Sequence, residues 1–522
     1  MSLQLTRSDI LLTVILLSLS YVLRRRSKAS GFPKPPGPPG YPLIGNLLDI
    51  PNAKQMSDEI WAKWGQKWGE IVSVSVLGTT VVVINSFKQS IEMLEKRGAA
   101  FSNRPFLPMP MEVLEMRDSM GLLRYGRALT SRRALFHQEL GTESAVRAFH
   151  SELERLGKKF LQRLLISPEK ALDNCHHYSG SIILSIAYGY EVQDSSSNQY
   201  DPMVKIVTTA MDNFNHATVP GAFLVNDIPF LLKLPEWLPG MGWKKLGRIW
   251  AKEYWDMIDV PYAFVKRKMM EGTARDSFTS KWLSKNLSEL KEFDLKLTAS
   301  AMFGAGVETT AATIYAFLIL MAMHPEIQKK AQVEIQDVVG LGRMPTFEDM
   351  KDMTYLHAIF KEVIRYHPAV PNCLPHSNPH DKVHNDMFIP KGAIIFVNLW
   401  NMARNPEVYS NPMDFNPSRF LGESPEQDPR EVIFGFGRRY VNAASSHFSD
   451  LQFLSMMSVR ICPGRRLVES VLCITFAMVL ASFNISSDAE APVKFRRNPG
   501  IISHLDEMKL RIVPRFDPSH IR

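Results

Sequence analysis

Three stretches of the chain carry clear patterns of apolar and polar residues. Residues 10–23 are almost entirely apolar and are followed by a basic cluster at residues 24–28. Residues 71–85 alternate apolar and polar positions and become β-branched after Gly78, which predicts a β-hairpin. Residues 294–323 form the longest helical pattern and are apolar on nearly every face beyond the first turn. Most of the remainder predicts helices between Pro- and Gly-marked loops, so the predicted fold class is mainly α with a minor β-sheet region.

The apolar run at residues 10–23 is short for a membrane span, which needs about 20 apolar residues, so a cleaved signal peptide is the alternative. The positive cluster lies after the run, as in an anchor whose C-terminal side stays cytosolic. We therefore expect residues 1–30 to form one N-terminal transmembrane helix, a signal anchor with a basic stop. Proline-rich residues 31–43 favour a stiff extended hinge over helix, with a disordered linker as the alternative, and residues 44–522 follow as one large domain.

The long apolar pattern at residues 294–323 has two interpretations. A second transmembrane span is one, but Glu308, Gly304 and Gly306 lie in its middle. Lipid would penalise the charge, and the glycines weaken the helix. A buried helix that crosses a large domain is the better prediction.

Composition and charge narrow the possible partners. The chain has 522 residues, 45% of them hydrophobic, which is ample for a large core. Its net charge of +8 favours an acidic partner or an anionic membrane surface. No basic run is interleaved with aromatic residues, so no nucleic acid is expected. The four cysteines have no paired spacing, which argues against a disulfide framework and suits a reducing compartment.

One cysteine lies in a pattern that points to chemistry. Residues 434–439 read FGFGRR, and 21 residues later residues 461–466 read ICPGRR. Joined end to end, the two pieces resemble the cysteine loop of membrane-bound, fungal-type members of the cytochrome P450 superfamily, which are haem-thiolate monooxygenases. The likeness runs from the N-terminal anchor almost to the C-terminus, and it implies the cytochrome P450 fold with haem b as cofactor.

The resemblance assigns roles around the haem. Cys462 would be the ligand of the iron, Phe434 would shield its sulfur, and a nearby arginine would reach a haem propionate. The haem-binding residues implied are Arg133, His376, Phe434, Gly437, Arg439, Arg460, Cys462 and Gly464. The helix around residues 125–138 resembles one that normally supplies a tryptophan and an arginine, but Leu129 stands at the tryptophan position. Arg133 should then carry more of the haem binding.

Two further motifs match the family. Residues 305–310, AGVETT, resemble the oxygen-activation motif, in which Glu308 and Thr309 would relay protons. Residues 361–365 place Glu362 and Arg365 one helical turn apart. The resemblance implies that this pair locks to Arg419 and has a structural role.

The residues 440–460 have no counterpart in the family's tight cysteine loop. Loop length alone costs little, since each doubling adds only about 0.6 kcal/mol. Two interpretations stay open: a genuine excursion that leaves the cysteine pocket intact, or an intron translated in a mis-spliced gene product, which would leave the chain inactive and without haem.

The expected function is insertion of one oxygen atom of O2 into an apolar small molecule, such as a terpenoid secondary metabolite or a polycyclic aromatic xenobiotic. Electrons would come from NADPH through NADPH-cytochrome P450 reductase. Segments 101–123 and 211–242 are rich in Met, Phe, Leu and Pro and by resemblance border the pocket and its membrane-facing entrance. The expected location is the endoplasmic reticulum membrane, single-pass, with a cytosolic catalytic domain. A haem-thiolate isomerase or dehydratase, which needs no reductase, is the alternative.

Overall fold

The computed structural model describes residues 31–193, 201–285, 287–340, 342–437, 461–488 and 492–516. The predicted anchor at residues 1–30 and the insertion at 440–460 lie outside these ranges, as do Arg439 and Arg460.

Helices dominate the described residues. Those of twelve residues or more are α1 Ser57–Trp68, α2 Arg127–Leu140, α3 His150–Ile166, α4 Ala171–Tyr188, α5 Pro202–Thr218, α6 Trp243–Met270, α7 Glu289–Met323, α8 Pro325–Val339, α9 Thr354–Tyr366 and α10 Arg465–Ser482. Short helical turns connect them, among them Glu143–Arg147, Leu224–Asp227, Phe278–Leu283 and Arg430–Ile433.

The strands form small sheets. Their bounds are β1 Ile71–Val76, β2 Thr79–Ile84, β3 Lys382–His384, β4 Met387–Ile389, β5 Ile394–Val397, β6 Phe483–Ser487 and β7 Leu510–Pro514. The β1 and β2 strands pair antiparallel, with Ile71 opposite Ile84, which confirms the predicted hairpin. The β5 strand adds to β2 in parallel, while β3 with β4 and β6 with β7 form two-stranded sheets. The predicted class, mainly α with minor β, is confirmed.

The proline-rich segment lies extended along the hairpin. The Ser73 backbone N–H donates to the Pro36 carbonyl (2.8 Å), and the Ser73 hydroxyl donates to the Pro35 carbonyl (2.6 Å). A Cβ at Gly37 would collide with the Ser73 carbonyl, so the close approach requires glycine there. The segment therefore packs against the domain at this point.

Helix α7 runs through the core. Its 35 residues would span about 52 Å at 1.5 Å per residue. It packs against α4, α2, α5 and α10, and the stacked rings of Phe317 and Phe476 lie 3.8 Å apart. Among the described helices, α7 is long and apolar enough to cross a membrane by length and composition, but 83% of its most apolar window is buried in the protein. The predicted buried core helix is confirmed.

Candidate active site

The Cys462 loop comes directly before α10, which begins at Arg465. The Cys462 backbone N–H donates to the Phe434 carbonyl (2.9 Å), so the two flanks of the insertion meet at the cysteine. Burial raises the pKa of the Cys462 thiol, while the backbone N–H groups of Gly464 and Arg465 and the charge of Arg133 act to lower it. Cys462 is nevertheless an exposed residue, and the donors beside its sulfur suit a thiolate.

The glycines and the aromatic residue of the motif are placed around this sulfur. The Phe434 ring lies under the Arg465 guanidinium, 5.4 Å from the ring centroid. Gly437 is buried and is the last described residue before the insertion. The left-handed backbone conformation falls instead at Gly435 (φ 83°), where glycine carries no steric penalty. A Cβ at Gly464 would lie 4.0 Å from the Cys462 Sγ, which is an ordinary contact.

One buried arginine, Arg104, and one half-buried arginine, Arg133, lie close to the cysteine loop. Arg133 donates to the Ile461 carbonyl (2.6 Å) through Nη2, and its buried Nε has no hydrogen-bond partner among the described residues. Arg104, which the sequence-based prediction missed, donates to the carbonyls of Leu374 (2.6 Å) and Pro375 (2.8 Å). Burial lowers the pKa of each guanidinium to about 10, and the charge of Arg104 further lowers that of Arg133.

This arrangement fits an anionic cofactor. Within the described ranges, neither Arg104 nor Arg133 forms an ion pair with a carboxylate. A buried guanidinium beside a half-buried one is costly without a counter-ion, and an anion between them removes that cost. The propionates of haem would supply such charges, so the residues present fit the group that the sequence motif implies.

Of the remaining residues predicted to bind haem, His376 lies near Arg104, while two arginines lie outside the described residues. His376 is buried, pairs its backbone with Ile395 of β5, and places its Nδ1 3.0 Å from the Phe101 carbonyl. It directly follows Pro375, whose carbonyl accepts from Arg104. Leu129 is buried on α2, one turn before Arg133. Arg439 and Arg460 were predicted to contact haem, but both lie outside the described residues.

The oxygen-activation motif lies in the middle of α7. The Thr309 hydroxyl donates to the Ala305 carbonyl one turn earlier (2.7 Å), a bond that often bends helices. Ala305 is exposed although the surrounding helix is buried, so α7 faces open space at this point. A Cβ at Gly306 would lie 2.7 Å from Ile183, which explains the small residue where α7 meets α4.

Glu308 points into a cluster that sequence spacing did not predict. Its side chain is buried, with Oε2 3.3 Å from His176 Nε2 on α4 and 3.8 Å from His504 Nε2 in the C-terminal segment. The ligand atoms of the three residues all lie within 4.8 Å of one another. His176 and His504 come from distant parts of the chain and from no motif, so only the fold brings them together.

The predicted structural set lies together beside α9. Glu362 forms two 2.7 Å hydrogen bonds with Arg365, and its Oε1 lies 3.2 Å from Arg419 Nε. Arg365 also donates to the Ala403 and Pro412 carbonyls, both at 2.8 Å. Arg419 makes a further ion pair with Glu426 (2.7 Å). The glutamate thus joins α9 to the turn at Pro417–Phe420, which α9 contacts directly.

Comparison with known proteins agrees with this architecture. The profile of the family described as Cytochrome P450 matches residues 35–440, ending where the insertion begins. Cytochrome P450 monooxygenase 208 of Postia placenta is 38% identical over 510 residues, which cover 96% of this chain and 94% of that protein. Cytochrome P450 monooxygenase claR of Ampulloclitocybe clavipes is 36% identical, over 98% of this chain and 91% of that protein. Cytochrome P450 monooxygenase ppsD of Aspergillus oryzae is 35% identical, over 95% of this chain and 91% of that protein.

The mainly helical fold, the thiol loop at the start of a core helix and these matches together define the class of the protein, a haem-thiolate oxidoreductase. The chain belongs to the cytochrome P450 family, whose matched members are fungal monooxygenases.

Proposed function

We propose that the chain uses haem b, held through Cys462, to insert one oxygen atom of O2 into an apolar small molecule, with electrons from NADPH through a flavoprotein reductase. One observation carries the proposal: Cys462 is exposed, and the backbone N–H groups of Gly464 and Arg465 and the charge of Arg133 favour its thiolate form. When bound, haem supplies the iron that activates oxygen, and a thiolate ligand favours O–O cleavage. Arg104, Arg133 and His376 would hold its carboxylates.

An apolar substrate class is supported by the segments that the sequence singled out. Met109, Met111 and Leu114 of segment 101–123 are buried, as are Met211 and Phe214 of segment 211–242. These side chains belong to the same apolar cluster as α7. Such surroundings suit terpenoids or polycyclic aromatics.

Attachment to a membrane surface is supported by exposed apolar side chains. Leu224, Phe230 and Trp237 are 60%, 63% and 81% exposed, and Leu48 is 72% exposed. A Cβ at Gly221 would lie 3.3 Å from the Pro51 carbonyl oxygen, so the two exposed regions are neighbours. Large exposed apolar patches mark interaction surfaces, and the proposed one is the cytosolic face of the endoplasmic reticulum membrane.

Docking of a reductase on the cysteine side is supported by charge. Arg466 is exposed at the start of α10. Burial is the largest cause that lowers the pKa of His137 on α2, and the positive charges of Arg133 and Arg466 lower it further. A basic surface there would attract an acidic reductase. Arg465 contributes less, because it pairs with Glu469 (2.9 Å).

The test is reconstitution of the full chain in phospholipid vesicles with a flavoprotein reductase, NADPH, a panel of apolar compounds and 18O2. The proposal predicts a product that carries one 18O atom per molecule and forms only with both NADPH and reductase. Turnover without either would instead identify a haem-thiolate isomerase or dehydratase.

A further inference from the structure

Glu308 is a buried carboxylate whose contacts lead toward solvent. Its side chain is 2% exposed, that of His176 is 14% exposed and that of His504 is 23% exposed. Its Oε1 is also buried and has no hydrogen-bond partner within the described ranges. The exposed fraction thus rises from the carboxylate to the imidazoles that contact Oε2.

The cluster is more than an ion pair that holds two helices. A buried pair stabilises a fold weakly, because desolvation offsets the attraction. Here one carboxylate faces two imidazoles, which can each gain or lose a proton near neutral pH. Glu308 also precedes Thr309, whose hydroxyl lies beside the exposed Ala305.

Other charged groups face the cluster from each neighbouring element. Asp212 of α5 interacts with all three members, Asp173 of α4 acts to raise the pKa of His176, and the charge of His504 acts to lower the pKa of His367. His216 faces Asp212 on α5.

The two imidazoles differ in proton affinity. Burial acts to lower the pKa of His176, but the hydrogen bond and charge of Glu308, with Asp212 and Asp173, raise it overall. Burial lowers the pKa of His504 despite the charge of Glu308. His176 therefore holds its proton more firmly, while His504 releases one more readily.

We propose that His504 passes protons from solvent to Glu308, while His176 holds that carboxylate in position, so that the three residues supply protons to the oxygen-activation motif. This rests on the proposed monooxygenase function. Both histidines are positioning residues, since they act through Glu308.

The proton balance is simple. His504 Nε2 lies 3.8 Å from Glu308 Oε2, so one bridging water carries the proton. The N–H bond of the His504 imidazolium breaks as the water accepts that proton, the water gives another proton to Oε2, and a neutral imidazole remains. His504 then takes a proton from water. Glu308 returns to a carboxylate when its O–H bond breaks and a water molecule beside the Thr309 hydroxyl accepts the proton. One proton crosses from solvent to the water beside Thr309 in each pass, and nothing is oxidised or reduced.

The first test measures product formed per NADPH consumed in the reconstituted system, with the substrate found by 18O2 labelling. His504→Gln should lower this ratio at least threefold, divert NADPH into hydrogen peroxide and increase the solvent deuterium isotope effect on product formation. The KM should stay unchanged, because the pocket is intact. His176→Gln should shift the pH profile of the ratio.

His324→Gln is the matched control, because His324 also lies 3.3 Å from a glutamate, Glu326, and its side chain is 27% exposed. It should behave like the unmodified chain. An unchanged ratio and isotope effect in His504→Gln, with normal haem content, would overturn the relay.

A second test needs no substrate. Imidazole nitrogens labelled with 15N are titrated by NMR in the full chain, in its reduced, carbon monoxide-bound form. Because the charge of Glu308 acts to raise the pKa of both histidines, Glu308→Gln should lower the pKa values of His176 and His504. If the pKa values of His176 and His504 are the same in Glu308→Gln as in the unmodified chain, the proposal is contradicted. If Glu308→Gln changes both pKa values but the reconstituted chain forms no monooxygenase product, the result counts against the proposed function alone.

Discussion

At the scale of single residues, the candidate site combines residues that local motifs predict with residues that only the fold brings together. The roles of Cys462 and Thr309 were predicted from local motifs, because the residues next to each form a recognisable sequence pattern. Arg104 was missed because it lies in segment 101–123, whose composition predicts an apolar pocket border. His176 and His504 carry no local signal, because only the packing of α4 and the C-terminal segment against α7 brings them to Glu308.

Removing the threonine hydroxyl should damage proton delivery and leave the pocket intact. Thr309→Ala loses the hydroxyl and its bond to the Ala305 carbonyl. We expect substrate affinity within about twofold of the unmodified chain and a large rise in peroxide formed per NADPH. Thr313→Ala is the control, since it loses an equivalent 2.8 Å bond to the Thr309 carbonyl one turn later. Unchanged coupling in Thr309→Ala would remove this hydroxyl from the mechanism.

Arg104 should contribute to haem retention. Arg104→Gln removes a buried positive charge near Arg133, so the cofactor carboxylates lose a counter-ion. Haem transfer from the variant to apomyoglobin should be at least tenfold faster. Arg127→Gln, an exposed arginine on α2, is the control and should leave the rate unchanged. Equal rates in all three proteins would show that Arg104 does not bind the cofactor.

His367 should make the fold sensitive to acid. Burial lowers the pKa of His367 from 6.5 to about 3. Between these two pH values the unfolded chain binds a proton at His367 that the folded chain does not bind. Its contribution to stability is therefore complete above pH 6.5 and falls toward pH 3, by up to about 1.4 kcal/mol per pH unit. Urea midpoints at pH 7 and pH 5 should differ less in His367→Gln than in the unmodified chain. An equal loss in both would contradict this assignment.

At the scale of elements, the structure matches the prediction where a segment has a strong apolar pattern. The alternation at residues 71–85 predicted the hairpin, and the apolar run predicted α7. Helix α7 begins at Glu289, five residues before the predicted start, because its first turns are polar and extend beyond the apolar pattern. The docking of the proline-rich segment on β1 was not predicted, since backbone carbonyls that meet a distant strand leave no side-chain pattern.

The network that joins α9 to the turn at Pro417–Phe420 should be needed for a stable fold. Glu362→Gln leaves Arg365 and Arg419 buried without their shared carboxylate. Removing one partner of a buried ion pair costs about 3–5 kcal/mol, so the thermal midpoint and haem content should both fall. Glu143→Gln, which breaks the exposed pair with Arg147, should change neither. A thermal midpoint equal to that of the unmodified chain would show that the network is dispensable.

At the scale of the whole molecule, the insertion at residues 440–460 interrupts the cysteine loop that is expected of the family. The family profile ends at residue 440, yet Cys462 beyond the insertion contacts Phe434 before it. Because the flanks already meet, deleting residues 440–460 should rebuild the compact cysteine loop. The deletion variant should bind at least as much haem per chain as the full chain, measured by the pyridine haemochrome assay. Loss of haem on deletion would identify the segment as a required part of the pocket.

The central claim is that Cys462 is the thiolate ligand of the haem iron, and the reduced carbon monoxide difference spectrum of the full chain tests it most directly. Cys462→Ser should lose the thiolate-type band, while Cys473→Ser should keep it, because Cys473 is buried within α10 against His357. A thiolate-type band that survives in Cys462→Ser would contradict the account.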